Sequence, residues 1–163
     1  MIVVMDSSTV ILLAKTSTLE TSLKEHNIQI TKEVYAEVME GKNKMLPDAL
    51  LLERLHQENK INLVSANEQL TKKIAGDFNL ENGEASTIAV AIKDKKAVAS
   101  DDRQARKAAK IQNLQLTGAI GIIINLFKKG KITINKATQA LKTLEEQGRF
   151  EKYLIEKANE DLK

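Results

Sequence analysis

The chain has 163 residues and a net charge of +3, which suits one compact domain and permits a polyanionic partner without requiring one. It has no cysteine and only two histidines, His26 and His56, far apart, so disulfides, thiolate zinc sites and a cysteine nucleophile are excluded and histidine-based metal sites are disfavoured. Aromatics are 3% of the residues, which argues against a nucleic-acid binder built on an aromatic stacking groove.

In chain order, residues 2–5 read as a buried strand whose apolar run stops at Asp6. No positively charged segment precedes that run, so it does not read as a signal peptide. Residues 28–30 form a second short strand, followed by a helix that Thr31 caps and Gly41 ends as a C′ glycine, with Val34 and Val38 facing inward. Pro47 opens a helix through His56. Residues 61–64 make a third strand, and Leu70, Ile74 and Phe78 recur at four-residue steps in a helix over 68–78. Asn82 is placed to cap a helix over 84–93 with Ile88, Ala91 and Ile92 as its buried stripe. A fourth strand at 97–100, a helix at 103–110, a fifth strand at 114–117 and a buried helix at 119–129 follow. The apolar stretch 119–127 is broken by Gly121 and Asn125 and is far too short to span a bilayer, so the chain is expected to be soluble and cytoplasmic, with no membrane contact. After Gly130 the pattern changes to two polar-rich helices, about 135–147 and 151–162.

Strand–helix–strand alternation of this kind implies an α/β fold, an open and mostly parallel sheet with helices on both faces. In such sheets functional groups gather beyond the carboxyl ends of strands, near the point where strand order reverses. Asp6 stands directly after the first strand and Asp101, beside Asp102, directly after the fourth. Glu37 lies on the helix after the second strand, and Glu84 in the first turn of the helix before the fourth. Each acid alone has a plain structural explanation: Asp6, Asp101 or Asp102 as a turn or capping residue, Glu37 on an acidic face with Glu33 and Glu40, Glu84 at a favourable helix start. Together they are harder to dismiss, because clustered carboxylates repel unless a cation neutralises them. Without thiols and with few histidines, the fitting ion is Mg²⁺ or Mn²⁺, which lowers the pKa of a bound water and stabilises charge on a phosphate.

At these residues the sequence resembles the PIN-domain family. Ile2-Val-Val-Met-Asp6-Ser7-Ser8 is similar to its first motif, and Ile30-Thr-Lys-Glu-Val-Tyr-Ala-Glu37 to its second. Asn82-Gly83-Glu84-Ala85 resembles the third acidic position, with Glu where many members carry Asp and where several branches carry the same Gly-Glu-Ala. Ala99-Ser100-Asp101-Asp102 followed by Ala105-Arg106 resembles the fourth, and Leu116-Thr117-Gly118-Ala119 the fifth strand leading into a buried helix. The resemblance implies a PIN-like nuclease domain over residues 1–130, with a five-stranded parallel sheet, and a C-terminal helical extension of the same domain over 131–163. It further implies a metal-dependent endoribonuclease in which Asp6, Glu37, Glu84 and Asp101 are the catalytic acids and hold Mg²⁺ or Mn²⁺ directly or through water. Ser8 and Ser100 would orient the acids or a water, and Asp102 would assist Asp101. Many members are VapC-like toxins held by an antitoxin, and many dimerise, so an antitoxin partner and a homodimer are expected by resemblance.

Arg103, Arg106, Lys107 and Lys110 follow the acids at helical spacing and read as RNA phosphate-binding residues, or equally as a solvated helix face. No Gly-x-Gly-x-x-Gly and no Gly-Lys-Ser/Thr loop occurs, which disfavours a dinucleotide enzyme or P-loop ATPase. A receiver domain would want its acceptor Asp after the third strand, where Ser65 and Ala66 stand, and an aspartyl phosphatase would want Asp at position 8, which is Ser. The remaining alternative is a catalytically weak PIN-like module that binds RNA or protein without cutting.

Overall fold

Near-continuous apolar strands need cover on both faces, and the fold supplies it. The computed structural model describes residues 2–147 and 150–163. Five strands, β1 (Ile2–Met5), β2 (Asn27–Thr31), β3 (Asn62–Val64), β4 (Ala97–Ala99) and β5 (Leu116–Thr117), form one sheet in the order β3-β2-β1-β4-β5. Every neighbouring pair is parallel, with Val4 level with Gln29 on one side and with Val98 on the other. The chain winds outward from β1 through β2 to β3, then returns to lay β4 against the other edge of β1. The β1–β4 boundary is therefore where strand order reverses.

Ten helices surround the sheet among the described residues: α1 (Ser7–Lys15), α2 (Leu19–Glu25), α3 (Lys32–Met39), α4 (Pro47–Gln57), α5 (Glu68–Phe78), α6 (Asn82–Asp94), α7 (Arg103–Ile111), α8 (Ala119–Lys128), α9 (Ile134–Glu146) and α10 (Lys152–Asp161). Side chains alternate across each strand, so the two faces carry different packing. Met5, Ile28, Ile30 and Ala99 point into the larger apolar cluster, with α1–α4 and α8–α10. Val4 and Val98 point the other way, against Val90 and Ala91 of α6 and Ala109 of α7, with α5 packed outside. Leu141 and Leu144 of α9 and Ile155 of α10 lie in the same cluster as Met5 and Leu13, so the C-terminal helices complete the core on that face.

Most expected elements are present within a residue or two, and the exceptions have local causes. Helices α1 and α2, absent from the sequence-based reading, fill the segment between β1 and β2. The β-branched Thr9-Val10-Ile11 disguises α1, which starts because the Asp6 side chain accepts the Thr9 N–H. Gly41 is not a left-handed terminator: its φ is −73°, it opens a 3₁₀ turn over Lys42–Lys44, and Met45 takes the left-handed conformation at φ 57°. Asn82 does not cap α6; it lies inside the helix, and Glu81 is the capping residue. No helix among the described residues is long and apolar enough to cross a membrane.

Because Leu141 is wholly buried in the main cluster, Leu141→Ala is expected to cost about 2–5 kcal/mol in reversible chemical unfolding. A loss under about 1 kcal/mol would mean that α9 is merely apposed to the core.

Candidate active site

Asp6 and Asp101 meet at the carboxyl edge of the sheet because β1 and β4 end side by side. The Asp6 N–H donates to the Ala99 carbonyl (3.0 Å), and the Ser100 N–H to that of Thr117 (3.0 Å), which aligns the ends of β1, β4 and β5. The Asp6 side chain is 1% exposed. Its Oδ1 accepts from the Ser8 hydroxyl (2.6 Å) and the Thr9 N–H (3.2 Å), and its Oδ2 accepts from the Ser100 hydroxyl. The same hydroxyls hold the neighbouring acids: Ser8 Oγ accepts the Asp101 N–H (2.9 Å), and Ser100 Oγ the Asp102 N–H (3.2 Å).

Asp101 Oδ2 accepts from the Thr9 hydroxyl (2.7 Å) and from the Ala119 N–H (2.9 Å) at the start of α8. Asp102 caps α7 through the Ala105 N–H (2.9 Å). Glu84, in the first turn of α6, accepts the Glu81 N–H (3.1 Å). The Glu37 carboxylate spans two helices, accepting from Ser7 Oγ of α1 (2.9 Å) and the Gly83 N–H of α6 (2.7 Å). Of the predicted residues, Asp6, Ser8, Ser100, Asp101 and Asp102 thus share one hydrogen-bonded network. Glu84 faces it electrostatically, and Glu37 is tied to it through the start of α6.

Two glycines make room for the acids. A Cβ on Gly83 would lie 2.6 Å from Glu37 Oε1, and one on Gly118 would lie 2.6 Å from Asp101 Oδ1. Thr9 was not singled out in the sequence, and Ser7, Gly83 and Gly118 appeared there only within motifs, without a role. The signals were present, as a hydroxyl run (Ser7-Ser8-Thr9) directly after Asp6 and a glycine directly before Glu84.

Burial pushes the Asp6 carboxyl up to about 6, opposed by its hydrogen bonds from Ser100, Ser8 and Thr9 and aided by the charge of Asp101. Glu84 is pushed up to about 7, first by burial and then by the charges of Asp102, Asp6 and Glu81, with the Glu81 N–H bond acting in the opposite sense. Asp6 and Glu84 are therefore near enough to repel one another. Arg106 does not spend its charge on them: its Nη1 donates to the carbonyls of Ser100 (2.7 Å) and Thr117 (3.1 Å), stapling the ends of β4 and β5. Arg103, Lys107 and Lys110 line a groove of about 790 Å³ that opens beside Asp101.

The available ligands are carboxylate and hydroxyl oxygens, and the carboxylates repel one another, which suits a hard divalent ion in kind. As placed, no three acidic or histidine side chains among the described residues already form an ion cage.

A model of the DUF3368 PIN-domain family matches residues 2–162. The chain belongs to the PIN-domain family. PIN domains are typically nucleases, and generally use divalent metal ions. No curated protein matches this PIN domain in sequence. Among solved structures it is similar to PAE2754 from Pyrobaculum aerophilum, with a TM-score of 0.58 and 13% identity over 78% of this chain and 99% of that one. At that identity the likeness concerns the fold, and it accords with the five-stranded parallel sheet of this PIN domain.

Two outcomes test the site. Asp6 and Glu84 titrate higher folded than unfolded, so the folded protein binds their protons more tightly. Their stabilising contribution is whole below about pH 4 and is lost as pH rises through 6 and 7. The melting temperature in chelator should accordingly fall between pH 4.5 and 7.5 more steeply for wild type than for Asp6→Asn. Mg²⁺ or Mn²⁺ should restore more of it at pH 7.5 than at pH 4.5; a profile equal to that of Asp6→Asn would count against the buried acid. Separately, Gly→Ala inside a helix normally stabilises by about 0.8–1.0 kcal/mol. Gly83→Ala should instead destabilise by about 1–3 kcal/mol, because its methyl displaces the Glu37 carboxylate.

Proposed function

We propose that this PIN domain is a Mg²⁺- or Mn²⁺-dependent endoribonuclease that hydrolyses RNA phosphodiester bonds. The observation that supports the reading is the hydrogen-bonded meeting of Asp6 and Asp101 at the β1–β4 edge, with the charge of Asp6 felt at Glu84, beside a groove with a basic wall. Asp6, Glu84 and Asp101 would hold the ion, with Glu37 reaching it through water or acting by fixing the start of α6. When bound, such an ion acidifies a water and offsets the charge that builds up on the scissile phosphate.

The chain's own residues have definable tasks around it. Ser8 and Ser100 fix both oxygens of Asp6, and Thr9 with the Ala119 amide fixes one oxygen of Asp101, so these carboxylates are aimed before substrate arrives. Asp102 holds the start of α7, and with it the basic residues that meet the RNA backbone. A toxin role with an antitoxin partner, a homodimeric state and a cytoplasmic location extend the proposal by resemblance. Growth arrest on expression, relieved by Asp6→Asn, would support the toxin role.

The competing reading is a catalytically weak RNA- or protein-binding module. It is favoured by one observation: both oxygens of Asp6 and of Glu37, and one oxygen of Asp101, already accept from hydroxyls and amides. Incubation with a mixed RNA pool in Mn²⁺, Mg²⁺ or chelator separates the two. Metal-dependent cutting should vanish in Asp6→Asn and fall about 10–100-fold in Ser100→Ala. No cutting by folded, metal-loaded wild type across diverse RNAs would select the binding module.

A further inference from the structure

A cleft of about 330 Å³ lies along α8, lined on its apolar side by Val3, Ile28 and Ile122. His26, Thr117, Asn125 and Lys129 line it as well, and no carboxylate does among the described residues. His26 Nε2 is buried there without a hydrogen-bond partner among the described residues, an arrangement that folded proteins rarely leave standing. Burial and then the charge of Lys129 hold its imidazole below the ordinary value, with Glu25 opposing, so the ring is neutral at neutral pH. Gly121 stands inside α8, where glycine ranks below every residue but proline. A Cβ at that position would lie 2.7 Å from Thr117 Oγ1, so the glycine leaves that hydroxyl room at the cleft. Gly121, Asn125 and Lys129 follow at four-residue steps and share one exposed face. Lys129 enters no ion pair among the described residues, and the neighbouring Glu25 is engaged by Lys131 at 3.2 Å.

We infer that this cleft binds a small organic anion, with its charged group at Lys129 and its apolar body against Val3, Ile28 and Ile122. An ammonium, a carboxamide, a hydroxyl and an imidazole carrying its proton on Nε2 all donate to an anionic oxygen. Nothing lining the cleft repels one. A bare inorganic anion would leave the apolar surface uncovered, and a neutral apolar molecule would leave Lys129 without a counter-charge. The volume is that of a small-molecule site, too little for a stretch of polymer. None of the active-site acids lines the cleft, so the inference does not depend on the nuclease reading.

Titration of the full chain at neutral pH with benzoate and with hexanoate, a flat and a flexible body on the same charge, tests the site by amide NMR. At least one of them should shift the amides of His26, Thr117, Gly121 and Asn125 saturably. Inorganic phosphate, which has the charge alone, and benzyl alcohol, which has the body alone, should bind several-fold more weakly. Lys129→Ala and Asn125→Ala, both at exposed positions, should each weaken the anion several-fold while melting like wild type. His26→Leu should weaken it too and melt no lower than wild type, because it removes an unanswered polar atom. No saturable response to either carboxylate, or equal affinity for phosphate or benzyl alcohol, would overturn the site. So would an anion affinity that none of the three variants changes. A dimer that Asn125→Arg splits, with no response to either carboxylate, would assign the cleft to a second copy of the chain instead.

Discussion

A carboxylate almost wholly out of water at the end of the central strand sets the terms for everything near it. Burying such a group costs several kcal/mol unless donors meet its oxygens. Asp6 is met by the Ser8 hydroxyl, the Thr9 amide and the Ser100 hydroxyl. Those donors come from both sides of the β1–β4 boundary, so satisfying one acid fixes the relative position of α1 and the end of β4. The two serines then accept from the amides of Asp101 and Asp102, and the loop after β4 takes its shape from the same network. Glu84 approaches from the helix layer on the other face and adds a charge that the network does not neutralise.

The sheet was legible because its strands are short apolar runs at regular intervals, and their parallel order follows from the helices between them. Asp6 and Asp101 were legible for the same reason, since position after a strand in an open sheet carries meaning. The hidden parts depended on tertiary context. Thr9-Val10-Ile11 reads poorly as helix, yet burial of Val10, Leu12 and Leu13 makes it one. Gly41 has the composition of a terminator, but the chain there turns through Met45 instead. Glu37 could be placed on the right helix, while its attachment to Ser7 and Gly83 depends on residues far away in the chain. Arg106 has a structural task that charge alone did not announce: its Nη1 donates to two backbone carbonyls, while the side chain lines the groove with Lys107 and Lys110.

Helix α7 joins the scaffold to the surface chemistry. Its inner face is Ala105, Ala108 and Ala109, small enough to let the helix lie close to the sheet and to α6. That closeness carries the outer basic face alongside Asp101. Bulkier residues on the inner face would lift the helix and separate charge from acid, so the alanines constrain function without touching a ligand.

The hydrogen bonds that build the acid centre join partners far apart in the chain, 94 residues between Ser100 and Asp6 and 92 between Thr9 and Asp101. A chain emerging from the ribosome therefore carries Asp6 long before anything exists to hold it. The centre cannot ripen piecemeal, because its first acid waits for the fourth strand, and the core beneath waits for α9 and α10. Non-local closure of this sort slows folding. A product that ends before β4 lacks Ser100 and Asp101, and so leaves Asp6 and Thr9 without the partners that complete the acid centre.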